Sequence, residues 1–286
     1  MPFLYEPIMN EPKRVLIVSS EIYPYLPESD IAVAGRFLPQ GIQERGREIR
    51  SFMPRYGCVN ERRNQLHEVI RLSGMNIIIN SVDHPLIIKV ASISSARMQV
   101  YFIDNEDFFH RKAVDCDAEG NFFADNDERA MFFARGVLET VKKLRWKPDI
   151  VHCQGWISHL VPLYLKKEYN QDPIFADSKV VLSLYDNLDN LKFNADMASK
   201  AVMGDIEPSD MNELEVADGI NLAKLAVRYS DGVILAPGGI NADLEAYVKA
   251  KGVPCITSPA IGMEENGYIA EYDKFYDKIL EENVTE

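Results

Sequence analysis

Short apolar runs rich in β-branched residues alternate along the chain with stretches whose apolar positions recur every three or four residues. The runs lie at residues 14–20, 48–53, 98–103, 149–153, 179–185 and 232–236, and their length and composition predict strands. Val15-Leu16-Ile17-Val18 is apolar without alternation, as expected for a parallel strand covered on both faces. Helical spacing occupies residues 30–44, 127–144, 159–168, 216–229 and 242–251. In the second of these, Met131, Phe132, Ala134, Leu138 and Val141 form the apolar stripe, and Lys142, Lys143 and Arg145 close the last turn, where they complement the helix dipole. Such alternation predicts an α/β fold with a doubly wound parallel sheet. Between residues 69 and 93, the runs Asn76-Ile77-Ile78-Ile79 and Pro85-Leu86-Ile87-Ile88 predict a small antiparallel excursion. Near the end, Ile269, Tyr272, Phe275, Tyr276, Ile279 and Leu280 recur at helical intervals between charged residues, the pattern of one amphipathic helix. We expect residues 1–260 to form one unit and this helix, within residues 261–286, to pack back on it; a partner-binding helix is the rival reading.

Composition narrows the function. The 286 residues carry 31 Lys and Arg against 44 Asp and Glu, a formal net charge of −13. No continuous stretch is basic enough to hold nucleic acid or an anionic membrane against that acidity. The first residues lack the basic-then-apolar order of a signal peptide, and no apolar run approaches a membrane span of about 18 residues; a cytoplasmic protein is expected. The four cysteines, Cys58, Cys116, Cys153 and Cys255, are widely spaced without a C-x-x-C, so reduced thiols are expected rather than disulfides or a metal site. His152 and Cys153 are neighbours on a predicted strand and point to opposite faces, so they cannot easily share an ion.

In open α/β sheets ligands bind beyond the carboxyl ends of the strands, which directs attention to three loops. The first runs from Ser19 through Glu21, Tyr23, Glu28 and Asp30. It contains neither G-x-G-x-x-G nor G-x-x-x-x-G-K-[ST], which argues against a nicotinamide dehydrogenase or a P-loop kinase, and no cofactor is expected. Pro237-Gly238-Gly239 follows a strand and has the composition of an anion-cradling turn, although a tight turn needing positive φ explains the same glycines.

Ser19-Ser20-Glu21-Ile22-Tyr23-Pro24-Tyr25 and Met53-Pro54-Arg55-Tyr56-Gly57 after the first two strands resemble the N-terminal domain of bacterial glycogen synthases and plant starch synthases. The likeness continues through Tyr101-Phe102-Ile103-Asp104-Asn105, Asp125-Asn126-Asp127-Glu128-Arg129, Pro148-Asp149-Ile150-Val151-His152-Cys153 and Leu160-Val161-Pro162-Leu163-Tyr164-Leu165, in the family's order, over residues 14–240. The resemblance implies a single Rossmann-like domain, the N-terminal half of a GT-B glycosyltransferase. In that family this half holds the glucan acceptor and part of the donor. A second Rossmann-like domain grips most of the ADP- or UDP-glucose during retaining α-1,4-glucosyl transfer, and its final helix crosses back onto the first. The 286 residues leave no room for that second domain. Asp104, Asn105, Asp125, Asn126 and Arg129 match positions that organise the long loop ahead of its helix, and the acidic run 104–127 is otherwise expected to be a solvated face.

Three signature sites depart from the family together. The donor loop reads Lys-Thr-Gly-Gly-Leu in the family, and here the matching residues begin Pro27-Glu28-Ser29-Asp30. At ~5 Å and an effective dielectric of ~20, each carboxylate facing a phosphate costs on the order of 3 kcal/mol, about a hundredfold in affinity. Ser29 or Asp30 is also a good N-cap for the helix that follows. His-x-His-Asp-Trp becomes His152-Cys153-Gln154-Gly155-Trp156, and Thr-Ile-His-Asn-Leu becomes Ser183-Leu184-Tyr185-Asp186-Asn187, with tyrosine where the family's histidine lies near the sugar. A phenol, with a pKa near ~10, exchanges protons poorly at neutral pH. Trp156 and Tyr185 remain candidates for stacking on a sugar, against the plainer reading of packing.

The candidate ligand-binding residues are therefore Glu21, Tyr23, Glu28, Asp30, Gln154, Trp156, Tyr185, Asp186 and Asn187, with Gly238 and Gly239 as a candidate anion turn, no assigned catalytic residue and no metal ligand. Two readings stay open. One is a non-catalytic module binding a glucan, a metabolite, a protein partner or a second copy. The other is an α-1,4-glucosyltransferase half completed by a separate chain, and a partner cannot restore a lysine and glycines inside this one.

Overall fold

The computed structural model describes residues 11–264 and 266–281. One mixed sheet organises them. Its parallel part comprises β1 (Arg14–Ser19), β2 (Glu48–Pro54), β6 (Met98–Asp104), β7 (Ile150–Gln154), β8 (Lys179–Leu184), β9 (Gly232–Leu235) and β10 (Cys255–Thr257). The antiparallel excursion is β3 (His67–Glu68), β4 (Met75–Ile79) and β5 (Val82–Ile93). The order across the sheet is β10-β9-β8-β7-β1-β2-β6-β5-β3, with β4 paired to β5. β1 lies between β2 and β7, with Val15 opposite Ile49 and Ile150. The chain thus winds outward from β1 in both directions, and the order reverses beside it, where ligands of such sheets collect. The predicted strands are all present. β10 was not foreseen, because its three residues follow Pro254 and are largely exposed, leaving no apolar run to read.

The helices are α1 (Asp30–Glu44), α2 (Glu106–Phe109), α3 (Asn126–Leu144), α4 (Val161–Lys167), α5 (Met197–Ala201), α6 (Gly219–Arg228), α7 (Ala242–Lys251) and α8 (Gly267–Glu281). The stretch expected as a helix from residue 159 begins with a 3-10 turn at Trp156–Ser158, and α4 follows it. The helix expected from residue 216 begins at Gly219, because the Asp218 carboxylate caps it by accepting from Asn221 N–H at 2.9 Å.

Alternate residues of β1 serve the two layers. Leu16 and Val18 join the larger core with α3, α4 and α6, whereas Val15 and Ile17 meet Leu38 and Ile42 of α1 and the apolar face of α8. On α8, Tyr268, Ile269, Tyr272, Phe275, Tyr276 and Ile279 are all buried. Two glycines make this approach possible. A Cβ on Gly41 of α1 would lie 2.7 Å from Ile269 Cγ2, and one on Gly232 of β9 would lie 2.7 Å from Ile279 Cδ1.

The acidic run 104–127 is solvated at Glu106, Asp107, Asp117 and Glu119, as expected, but not at its two ends. Asp104 is buried beside Lys89 Nζ at 3.0 Å, and Asp127 is fully buried with Lys200 Nζ at 2.9 Å. Their cations come from β5 and α5, distant in sequence, and a carboxylate so paired can leave water.

Candidate functional site

Beyond the carboxyl ends of β1, β8 and β9 lies a cavity of about 260 Å³, lined by Glu21, Ser29, Asp30, Tyr185, Asp186 and Asn187 together with Ile31, Ala236, Pro237 and Gly239. Each strand delivers its part directly. Glu21 follows β1, Tyr185 to Asn187 follow β8, Ala236 to Gly239 follow β9, and Ser29 and Asp30 begin α1.

Ser29 ties the first loop together. Its Oγ accepts from Ala32 N–H at 3.0 Å as the N-cap of α1 and donates to Glu21 Oε2 at 2.5 Å. The capping role thus belongs to Ser29, which leaves Asp30 exposed at the cavity. Burial raises the Glu21 carboxyl above its ordinary pKa, opposed by the Ser29 hydrogen bond and reinforced by the charge of Asp115. Tyr185 is buried, with its hydroxyl 3.5 Å from Gln154 Oε1. Burial first, then the neighbouring tyrosines and carboxylates, raise its phenol well above the usual value. It is a fixed hydrogen-bonding wall rather than a proton carrier.

Three carboxylates line the cavity and no Lys, Arg or His does. That field opposes a phosphate and suits hydroxyl donors. Gly238 and Gly239 have φ of 91° and 101°, so the turn needs its glycines for backbone conformation. Gly239 faces the same acidic cavity as Asp30 and Asp186, a poor setting for an anion. Among the described residues no group of three or more His, Cys, Asp or Glu side chains is placed to hold a metal ion.

The remaining candidates lie outside the cavity lining. Gln154 sits beneath it, fully buried, donating from Nε2 to Ser19 Oγ at 2.9 Å. Tyr23 and Glu28 belong to the same loop but not to the lining, and Glu28 is exposed. Trp156 packs in a three-ring cluster with Phe122 and Phe193, its ring centroid 5.3 and 5.6 Å from theirs, and its Nε1 donates to Asp115 at 3.3 Å. Both partners come from loops far away in sequence, and with its side chain buried the indole serves packing in this arrangement. His152 points to the other side of the sheet, where its ring nitrogens meet Tyr276 Oη at 2.6 Å and Ser183 Oγ at 2.7 Å. Burial lowers its pKa to about 3, so the ring is neutral. Sequence reading missed Asp115, which bonds Trp156 and acts electrostatically on Glu21; it lies in an irregular loop without periodicity.

The raised Glu21 pKa gives a pH-dependent expectation. A carboxyl whose folded pKa exceeds its unfolded value opposes folding when ionised, and the effect vanishes once both states are protonated. Glu21→Gln should therefore raise the melting temperature at neutral pH, and the gain should disappear as pH falls below the ordinary glutamate pKa of about 4.3. Melting curves across that range check it; an equal gain at all pH values would contradict the burial effect.

The family model for the starch synthase catalytic domain matches residues 14–236. The chain is 39% identical over 173 residues to a glycogen synthase of Chlorobium limicola, covering 60% of this chain and 35% of that protein. It is 35% identical over 219 residues to a glycogen synthase of Chlorobaculum parvum, covering 76% of this chain and 44% of that protein. The chain thus spans less than half the length of these relatives. Among solved structures, the catalytic domain of Starch Synthase IV from Arabidopsis thaliana bound to ADP and acarbose superposes with a TM-score of 0.67 at 16% identity, covering 86% of this chain and 51% of that one. That likeness shows a fold shared with about half of that GT-B enzyme, and the family match places the chain in the glycogen and starch synthase family, within its N-terminal part.

Proposed function

We propose that this domain is a carbohydrate-binding member of the synthase family that does not itself transfer glucose from a sugar nucleotide. In this reading residues 1–260 are the binding unit, residues 261–286 carry the helix that closes its back, and the ligand at the strand ends is the end of a neutral glucan. The observation that carries the reading is the acidic, cation-free cavity. Glu21, Asp30 and Asp186 stand at the ends of β1 and β8 and the start of α1, and Asp30 falls in the stretch where the family has a lysine and glycines for a diphosphate. Carboxylates, an amide and a phenol match sugar hydroxyls, and the cavity of about 260 Å³ is of single-sugar rather than sugar-nucleotide size. The similar plant enzyme was solved with acarbose as well as ADP, which supports a carbohydrate ligand for this fold. The exposed free thiols of Cys58 and Cys255 are consistent with a reducing, cytoplasmic setting.

Calorimetry separates the ligands. Maltooligosaccharides should bind and lose binding in Tyr185→Ala, whereas ADP-glucose should bind this cavity no better than about 1 mM, given a roughly hundredfold penalty per opposed charge. With a glycogen primer, neither ADP-glucose nor UDP-glucose should give glucose incorporation above background. Micromolar ADP-glucose binding that disappears in Tyr185→Ala, or incorporation that does so, would overturn the reading.

A further inference from the structure

At the opposite end of the sheet, beside the amino ends of β2 and β6, lies a larger cavity of about 750 Å³. Arg50, Arg71, Arg97 and Lys143 all line it, drawn from β2, the loop before β4, the turn before β6 and the end of α3. The one lining carboxylate, Glu48, is already engaged. It accepts from Arg14 Nε at 2.9 Å and from Trp146 Nε1 at 2.6 Å.

The four cations lack such partners. Arg50 Nη1 donates to Tyr101 Oη at 2.7 Å, its guanidinium lies 5.2 Å from the Trp146 ring, and its Nε is buried with no hydrogen-bond partner. Lys143 Nζ reaches the carbonyls of Leu72 and Ser73, each at 3.4 Å. Arg71 and Arg97 are exposed, and among the described residues none of the four has a carboxylate within the 4.0 Å of an ion pair. Elsewhere in this chain of net charge −13, lysines and arginines commonly sit against carboxylates. Arg97 also holds φ at 51°, the left-handed region that glycine or asparagine occupies more readily.

We propose that this cavity binds a small phosphorylated metabolite bearing at least two anionic groups. Arginine forks and a lysine point charge supply the donors that phosphate oxygens accept. The volume is that of an ordinary small-molecule site. The walls are polar and the four cations belong to separate elements, which favours a compact ligand enclosed among them over an extended strand tracked along a surface. No continuous basic stretch announces the site, since its residues are spread from 50 to 143. The proposal is independent of the acidic cavity, which lies at the other ends of the strands.

Titration of the full chain with fructose 1,6-bisphosphate, ATP and inorganic pyrophosphate tests it. At least one should bind with Kd below about 100 μM in low salt and weaken as NaCl rises, because an ionic site is screened. Arg71→Ala with Arg97→Ala, both exposed and safe for folding, should weaken that binding about tenfold or more. Lys249→Ala with Lys274→Ala, and Tyr185→Ala at the other cavity, should leave it unchanged. Whichever of the bisphosphate and ATP binds tighter assigns a sugar phosphate or a nucleotide. Absence of binding at about 1 mM of every probe, binding unchanged in the arginine double variant, or tighter binding of a single-stranded oligonucleotide would each overturn the proposal.

Discussion

Truncation after Met263 is expected to lower the melting temperature steeply and drive the protein toward aggregation. The segment removed carries Tyr268, Ile269, Tyr272, Phe275, Tyr276 and Ile279, all buried against β1, β7, β8, β9 and α1. Each contributes roughly 1.5–3 kcal/mol of gross burial before the entropy of ordering is subtracted. Their loss also uncovers the face formed by Val15, Ile17, Ile150, Val181 and Ile234, an apolar patch of the kind that associates. Point variants separate packing from polarity. Tyr276→Ala should cost about 3–5 kcal/mol, as large aromatic truncations do. Tyr276→Phe should cost about 1–2 kcal/mol, from loss of the bond to His152 at 2.6 Å inside the interface. Urea melts of the three variants give the comparison. A truncated protein that stays monomeric with an unchanged melting temperature would show that the helix serves a partner instead.

The second large effect is expected at Arg129. This arginine is fully buried and distributes its donors over three pieces of chain: Nε to Phe108 O at 2.8 Å, Nη1 to Asn126 Oδ1 at 2.5 Å and Nη2 to Val114 O at 2.7 Å. Its guanidinium also lies 5.1 Å from the Phe109 ring. Burial lowers its pKa, yet an arginine remains charged at any ordinary pH. Arg129→Met keeps most of the volume while leaving the acceptors at Phe108, Val114 and Asn126 unsatisfied. A loss of about 3–5 kcal/mol is expected. The loop at 110–125 should become the first site of limited proteolysis, because Arg129 anchors it from the helix side at Val114 and supports the segment that Arg111 ties to Asp125. Equal stability and an unchanged cleavage pattern would show that the loop is held by other contacts.

These examples mark what the sequence makes legible. Val15 to Val18 can be read as a buried parallel strand because burial on both faces leaves an unbroken apolar run, and Tyr185 to Asn187 can be placed at a site because they follow such a strand. The role of Arg129 was legible only as a structural position near a long loop; which carbonyls it holds depends on how that loop returns. Trp156 shows the limit more sharply. Its place beside a strand end suggested either stacking or packing, and the choice was made by Phe122 and Phe193, which approach from irregular segments without periodicity. Asp127 and Lys200 are separated by 73 residues, so no local pattern reveals that the acid is buried. The same holds for the basic cavity, whose charges meet only after the strands have paired.

Gly41 and Gly232 carry a consequence beyond permitting close approach. Gly41 receives Ile269 and Gly232 receives Ile279 together with the edge of Phe275, and the two isoleucine contacts are ten residues apart along a helix that rises about 1.5 Å per residue. Two notches so separated act like a key cut at two depths. A slide of one turn, about 5.4 Å, would take both isoleucines out of register at once. The helix is thereby indexed lengthwise as well as held, and the hydroxyl of Tyr276 meets His152 only at that single setting.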